Sequence, residues 1–311
     1  MEFFRPGLNF DFVGKRKMFM GVSAAAILLS FVLLATRGLN YGIDFVGGTI
    51  VQVAFKEKKP IGDIRGAVSA LNLGDALIQE FGSDREFLIR VKEFRSDVEG
   101  VDKRIAGALE KSFGKGSLEI RRTESVGPQV GEDLKRKAMS SLIFACIGIL
   151  IYVGLRFRFV PAAASIVALL HDVIITMGIL SLTGKEFNLP IVAAVLTIIG
   201  YSINDTIVIF DRIRENTRLS RRSELGEVIN SSINQTLSRT ILTGGTTLLT
   251  LLAFFFLGGE VIADFSFILI VGIIIGTYSS IYVASPILVA FPGYSGGAAA
   301  PRRSKKAAAR A

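Results

Sequence analysis

The sequence has 311 residues, 50% of them apolar, with no tryptophan and a formal net charge of +9. A soluble domain of this length rarely carries so many uninterrupted apolar segments, so the composition excludes an ordinary soluble protein. The chain has one histidine and one cysteine, Cys146. A histidine-rich metal site and an intrachain disulfide are therefore excluded as well.

After a basic leader at 1–17, the chain carries six apolar segments. Each is long enough to cross a hydrocarbon core about 30 Å thick at about 1.5 Å per residue. The segments are 18–36, 138–155, 160–182, 189–210, 240–257 and 263–289. The first has the basic flank of a signal peptide, but no clear small-residue cleavage site follows it, which favours an uncleaved anchor. We therefore predict a polytopic α-helical membrane protein with six transmembrane helices.

Basic residues are concentrated on one predicted side of the membrane. They lie before the first span, between spans two and three, between spans four and five, and in the tail at 291–311. The short loops on the other side hold only Lys185. The positive-inside rule then predicts that both termini are cytoplasmic. We interpret the net charge as a signal of topology and not as affinity for nucleic acid.

Residues 37–137 are dense in charges and are predicted to form an extracytoplasmic domain between spans one and two. The pattern predicts strands at 49–55, 76–81, 86–92 and 117–124, with a turn at 82–85 and helices at about 60–71 and 97–113. This β-α-β-β-α-β order is typical of a ferredoxin-like α+β domain. Gly47 and Gly48 precede the first strand and suit a tight turn better than a phosphate cradle, because no helix N-terminus follows them.

Spans two to six are predicted within 138–290. Span three carries His171 and Asp172 near mid-depth. These two residues fit either a secondary proton route or a hydrogen-bonded helix contact, and the sequence leaves both open.

Span four carries an Asn–Asp pair, Asn204 and Asp205, in its last third. A charge at such depth costs a few kcal/mol, roughly 3 on insertion scales, so an intramembrane carboxyl indicates a functional site. On a helical wheel a small and polar stripe forms one side of this span, which favours contact with other helices or a wet cavity. Its members are Ala193, Thr197, Gly200, Tyr201, Asn204, Asp205 and Asp211. We predict that Asp205 carries a proton and that Asn204 holds it in this seam.

Span five has a matching stripe made of Arg239, Thr243, Thr246, Thr247 and Thr250. Arg239 is predicted to lie at the cytoplasmic end of this span, at a depth similar to that of Asp205. We predict that the two pair when Asp205 is ionised and separate when it is protonated; a static ion pair is the alternative.

Two further segments of the membrane part carry structural patterns. In span six Gly272, Gly276, Ser280 and Ala284 recur at four-residue spacing, which predicts close helix packing, as does Gly200 in span four. The segment 211–238 has apolar residues at helical spacing among charges, which predicts an amphipathic helix along the cytoplasmic interface. These apolar residues are Leu225, Val228, Ile229, Ile233 and Leu237.

Several stretches resemble the SecD/SecF family of protein-export membrane subunits, within the resistance-nodulation-division superfamily. They are "NFDFVGKRK" (9–17), "YGIDFVGGT" (41–49), "LLHDVIITMGILSLTGKEFNLP" (169–190), "TIIGYSINDTIVIFDRIREN" (197–216), "QTLSRTILTGGTTL" (235–248) and "GTYSSIYVASPI" (276–287). The resemblance implies a multi-pass protein of the plasma (inner) membrane, and a heteromeric partner, SecD. It also implies association with the SecYEG channel, often with YajC and YidC, and use of the proton-motive force to help draw preproteins outward. In that family the positions matching Asp205 and Arg239 are the candidates for proton coupling.

Other functions are less consistent with the sequence. One is half of a proton-driven exporter of small amphiphiles, for which the external domain is small; another is a non-transporting scaffold for SecD. An enzyme is the least consistent, because the sequence has no set of nucleophile, base and orienting residue. It also has no Walker motif, and no cofactor is predicted.

Overall fold

The structure is a computed structural model that describes residues 9–71, 73, 76–91, 98–220 and 223–291. The predicted tail beyond Phe291, the start of the leader and the ends of two predicted elements at 92 and 97 lie outside these ranges.

Within these ranges helices dominate, and the strands are confined to two small sheets. The helices are α1 (Arg16–Thr36), α2 (Ile43–Val46), α3 (Ile61–Ser69), α4 (Val98–Phe113), α5 (Pro128–Arg156), α6 (Phe159–Thr183), α7 (Leu189–Leu219), α8 (Leu225–Leu257), α9 (Gly259–Ser279) and α10 (Ser285–Ala290), with a π-helical segment at Ser280–Ala284. The strands are β1 (Asn40–Tyr41), β2 (Gly48–Phe55), β3 (Leu77–Phe81), β4 (Ser83–Val91), β5 (Leu118–Val126) and β6 (Glu186–Phe187).

Six helices in the described part of the chain are long and apolar enough to cross a membrane. They are α1, α5, α6, α7, α8 and the continuous run Ile262–Ala290, which joins α9 to α10 through the π-helical segment. The prediction of six transmembrane helices is therefore confirmed.

The four-stranded sheet forms a domain on one side of the helix bundle, which we call the domain side. Its strand order is β3-β4-β2-β5, and every neighbouring pair is antiparallel. α3 connects β2 to β3 and α4 connects β4 to β5, and neither pair of strands is adjacent in the sheet. The arrangement is therefore a split β-α-β motif. Their apolar faces bury one side of the sheet. The core there includes Val51, Val53, Ile64, Phe87, Ile89, Ile105 and Leu109.

The hairpin between β3 and β4 is tighter than the sequence predicts. Gly82 turns the chain with φ at +70°, and Ser83 already pairs with Phe81. The predicted turn residues Asp84 and Arg85 therefore belong to β4. Gly47 and Gly48 have φ of +73° and +129°, a backbone that favours glycine, so they form a turn that leads into β2.

Three spans extend well beyond their predicted bounds. α5 begins at Pro128 and not near 138, so the domain ends earlier in the sequence than expected. α7 continues to Leu219 and α8 begins at Leu225.

The segment 211–238 is therefore not a separate helix along the interface, and that prediction needs correction. It consists of the ends of two spans that form a helical hairpin. The apolar residues Ile229 and Ile233 are buried in the core of the bundle, and Val228 is buried as well. Polar contacts join the two helices, with Asn216 Nδ2 donating to Ser232 Oγ at 2.9 Å. Several of the described charges of this segment are exposed: Arg214, Glu215, Arg218, Glu224 and Glu227.

The motif at 9–17 packs against the same hairpin. The amides of Phe12 and Phe10 donate to Asn230 Oδ1 (2.8 Å) and Asn234 Oδ1 (2.9 Å) of α8. Val13 is buried among the helices. The N-terminal motif is thus held on the side of the bundle opposite the domain.

The glycine stripe of α9 packs against α7. A Cβ at Gly272 would overlap the side chain of Ile198, and one at Gly276 would lie 2.9 Å from Ser202 Cβ. These glycines let the two backbones approach, as small residues do between membrane helices. Gly200 differs, because a Cβ there would meet nothing within 4 Å and the residue is exposed. Within this chain Gly200 is not a packing contact.

Candidate functional site

Asp205 is buried where α7, α8 and α9 meet. Its exposure is 3%, and its carboxyl interacts with the Thr277 hydroxyl of α9 and, electrostatically, with Arg239 of α8. The Oδ2 atom has no hydrogen-bond partner. Because a buried polar atom without a partner is costly, this carboxyl is unlike an ordinary structural carboxylate.

Arg239 does not form a direct ion pair with Asp205 in this conformation. No salt bridge of 4.0 Å or less joins the two among the described residues. Arg239 is exposed in the isolated chain and lies mid-way along α8, not at its end. The predicted alternation between pairing and separation stays a prediction.

Asn204 and Asp205 face different surroundings, although the helical wheel groups them. Asn204 is exposed, together with Thr197 and Gly200, whereas Asp205 is turned toward α9. Successive helical residues differ by about 100° in direction, so one neighbouring helix covers Asp205 and leaves Asn204 open. The structure therefore does not support Asn204 as the residue that holds Asp205.

The threonines of α8 continue the exposed polar surface next to Asn204. Thr243, Thr246 and Thr250 are exposed. Their hydroxyls donate to the backbone carbonyls four residues earlier at 2.9, 3.0 and 3.1 Å. Tyr201 of α7 donates to Thr247 Oγ1 at 3.4 Å. We call this surface, made of Thr197, Gly200, Asn204, Arg239, Thr243, Thr246 and Thr250, the polar face.

His171 and Asp172 form a second buried polar cluster on α6. Asp172 Oδ1 lies 2.9 Å from His171 Nδ1, and Oδ2 accepts from Ser202 Oγ (2.5 Å) and Ser279 Oγ (2.8 Å). The ring of His171 stacks on Tyr278, with centroids 6.1 Å apart. Asp172 thus links three helices, and both of its oxygens have partners. This geometry favours the interpretation of His171 and Asp172 as a helix contact. The secondary proton route through them stays a prediction.

The π-helical segment lies directly beside this cluster. Ser280 Oγ lies 2.8 Å from Thr206 Oγ1 of α7, and Ser285 Oγ donates to the Ser280 carbonyl at 2.8 Å. π-helical turns often mark functional positions in helices. Here the wider turn supplies a carbonyl to Ser285 and brings serines of the last span against α7.

Sequence reasoning missed the partners of both aspartates: Thr277, Ser202 and Ser279. The four-residue spacing in "GTYSSIYVASPI" drew attention to glycine packing alone. The available signal for polar contacts between helices was the group Thr277, Ser279 and Ser280, three polar residues close together in an apolar span. In the described part of the chain, no three His, Cys, Asp or Glu side chains form a group that could hold a metal ion.

Two family models match the chain. The protein export membrane protein SecD/SecF, C-terminal, matches residues 105–293, and the SecD/SecF GG motif matches residues 32–59, which contain Gly47 and Gly48. A protein translocase subunit SecF from Calditerrivibrio nitroreducens is 46% identical over 291 residues, covering 93% of this chain and 96% of that protein. One from Magnetococcus marinus is 46% identical over 292 residues, covering 93% and 94%.

Solved structures of larger proteins are also similar. The crystal structure of SecDF, a translocon-associated membrane protein from Thermus thermophilus, matches with a TM-score of 0.82 and 40% identity over 91% of this chain. SecDF in a super-membrane-facing form matches with a TM-score of 0.69, 38% identity and 92% coverage. This chain spans 39% of each of those chains. By sequence and by structure, the chain belongs to the SecF subunits of the SecD/SecF family of protein-export membrane proteins.

Proposed function

We propose that the chain is the SecF half of a SecD–SecF assembly that uses the proton-motive force to assist late steps of preprotein translocation through the SecYEG channel. Its relatives are named translocase subunits, which supports a transport role without enzymatic chemistry. YajC and YidC are expected as further partners.

One observation carries the proton-coupling part of the proposal. Asp205 is buried between three membrane helices and has one oxygen without a partner. An intramembrane acid with such an incomplete set of contacts suits a residue that binds and releases a proton, because an acid kept only for packing is normally fully hydrogen-bonded. Each proton that crosses would supply about 2.3 kcal/mol per 100 mV of membrane potential.

The polar face supports a heteromeric partner. A surface of threonines, an asparagine and an arginine on membrane helices is poorly suited to lipid, and residues of this kind mediate helix contacts. SecDF holds a similar fold within a chain more than twice as long. We infer that SecD covers the polar face and completes the surroundings of Asp205 and Arg239.

The proposed orientation follows the distribution of charge. Both termini and the α7–α8 hairpin would lie in the cytoplasm, and the domain would lie outside an inner membrane. The domain would then meet the emerging preprotein or the external part of SecD.

The function is tested with a stalled preprotein in vesicles that contain SecYEG, SecD and this chain. With the chain present, a proton gradient should increase release of the preprotein on the far side; without the chain, the gradient should have no such effect. If release is equally gradient-dependent when the chain is left out, the proposal fails. If the chain raises release to the same extent with and without the gradient, it assists translocation only as a scaffold.

The partner surface gives a separate prediction. A cysteine at Thr246, on the polar face, should crosslink to SecD when Cys146 is replaced by serine. A cysteine at Phe31 is the matched control. Phe31 is 53% exposed but lies on α1, which packs against α6 and the π-helical segment. Equal crosslinking at both positions, or crosslinking at Phe31 alone, would show that SecD does not bind the polar face.

A further inference from the structure

The chain segment between α1 and β2 fastens the domain to the beginning of α7. β1 pairs in parallel with β6, and the Gly42 amide donates to the Phe187 carbonyl at 2.9 Å. Phe45 of α2 stacks on Phe187 with ring centroids 5.4 Å apart. We call this arrangement the joint: residues 40–48, residues 186–189 and Arg90.

The joint completes the N-terminal cap of α7. The first amide groups of a helix lack partners within the helix. Asp44 Oδ2 accepts the amide of Leu189 at 2.9 Å. Pro190 has no amide hydrogen, and Asn188 Oδ1 accepts the amide of Ile191 at 3.1 Å. One of the two caps of α7 is therefore supplied from a different part of the chain, beside the glycine turn of the domain.

An ion pair adds a second link. Arg90 of β4 pairs with Glu186, the residue of β6 that lies three positions before α7. Their side chains are 12% and 23% exposed, so water screens the pair less than an ordinary surface pair. Arg90 Nη1 also donates to the Tyr41 carbonyl at 3.4 Å. Desolvation at this position lowers the pKa of Arg90.

Arg90 and Asp44 are both set in rigid surroundings. Arg90 faces Ile50 of β2 across the sheet, so its backbone moves with the domain. Asp44 lies four positions before Gly48, the first residue of β2, so the backbone joins it directly to the domain. The start of α5 also restrains this segment, because a Cβ on Gly131 would lie 3.1 Å from the Gly47 amide nitrogen. A displacement at the start of α7 therefore has two short, direct routes to the domain.

Asp205 lies on the helix that the joint holds. It is sixteen positions after Leu189, which corresponds to about 24 Å of helix axis. A continuous α-helix transmits tilt and axial shift over such a length, as packed rigid elements do in conformational changes.

We propose that Asp44, Arg90 and Glu186 are positioning residues that transmit movement of α7 to the domain. Neither the contact of Asp44 with the Leu189 amide nor the pair formed by Arg90 and Glu186 touches Asp205. Both contacts act at the start of α7, the helix that carries Asp205 further along. The consequence for transport rests on the proposed function above, whereas the mechanical link does not.

The transport test uses variants of the joint in the vesicles described above. In Asp44→Ala and Arg90→Gln, gradient-dependent release should fall to the level measured without a gradient, while SecD still co-purifies with the chain. Asp44→Asn keeps an acceptor for the Leu189 amide and should retain release. Arg90→Glu combined with Glu186→Arg should restore what Arg90→Glu alone removes. Undiminished release in Asp44→Ala and Arg90→Gln would overturn the proposal, as would failure of both Asp44→Asn and the charge exchange to rescue release.

A distance measurement tests the link without relying on transport. Spin labels at Lys111 of α4 and Leu257 of α8, both exposed, report the position of the domain relative to the bundle when Cys146 is replaced by serine. With the joint intact, Asp205→Asn should shift the distance distribution. With Asp44→Ala added, the distribution should broaden and no longer respond. If Asp205→Asn leaves the distribution unchanged in the intact joint, the link is refuted. If wild type shows no gradient-dependent release but the labels respond, the proposed function fails and the joint stands.

Discussion

Replacing Asp205 by asparagine should abolish the gradient-dependent part of preprotein release and leave the rest of translocation unchanged. Asparagine has nearly the size of aspartate and retains an oxygen acceptor for the Thr277 hydroxyl, but it does not titrate. The buried position should therefore tolerate it, since the substitution creates no cavity. The loss should be large, because Asp205 is the acid that interacts with both Arg239 and Thr277.

Two controls distinguish loss of coupling from loss of structure. The variant should co-purify with SecD in the same amount as wild type, and its thermal unfolding in detergent should be unchanged or slightly shifted upward. Asp211→Asn is the matched charge control, since Asp211 lies on the same helix but pairs with Arg156 at 2.7 Å on the side opposite the domain. If Asp205→Asn retains gradient-dependent release in an assembled complex, Asp205 is a packing residue and coupling resides elsewhere.

Replacing Asp172 by alanine should greatly lower the stability of the protein, whereas replacing Asp205 by asparagine should leave stability nearly unchanged. The side chains of Ser202, Ser279 and His171 would all lose their shared partner at the centre of the bundle. Removing one partner of a buried ion pair costs roughly 3–5 kcal/mol. Here His171 and Ser202 would stay buried without this partner, whereas Ser279 would keep the Gly276 carbonyl at 3.1 Å. The expected readout is a lower unfolding temperature in detergent and less chain recovered with SecD.

Asp172→Asn separates this structural role from a proton route. It keeps one acceptor oxygen for the serines, so the variant should assemble in better yield than Asp172→Ala. Gradient-dependent release should persist in the molecules that assemble. Loss of that release in an intact complex would mean that the His171–Asp172 cluster carries protons, as the sequence left open.

Local signals in the sequence were enough to predict the spans and the main candidate acid. Apolar length gives the six helices directly, and a carboxyl such as Asp205 within an apolar run stands out without knowledge of any neighbour. The order of strands and helices around α3 and α4 could likewise be predicted, because alternation along each strand reports burial on one side of a sheet.

Contacts that depend on which helices pack together could not be predicted. A helical wheel gives the direction of Asn204 and Asp205 but not which direction α9 covers. The roles of Thr277 and Ser279 could not be predicted for the same reason. Both depend on the close packing of α9 against α7 that the glycines of α9 allow. The α7–α8 hairpin was misjudged because alternating charges and apolar residues look alike on an interfacial helix and on a helix that extends beyond the membrane. The cap supplied by Asp44 is equally non-local, since 145 positions separate it from Leu189.

The most direct test of proton carriage by Asp205 is a pH-dependent infrared difference spectrum of the SecD–SecF complex in vesicles. Protonated and ionised carboxyl groups absorb at different frequencies, so a single buried acid that titrates is visible by comparison with a variant. Acidification should add one component to the protonated-carboxyl absorption of wild type and of Asp172→Asn. That component should be missing from Asp205→Asn, in which the components of the other acids remain. If the spectra of wild type and Asp205→Asn change identically with pH, Asp205 does not bind and release a proton, and the proposed coupling through this residue is contradicted.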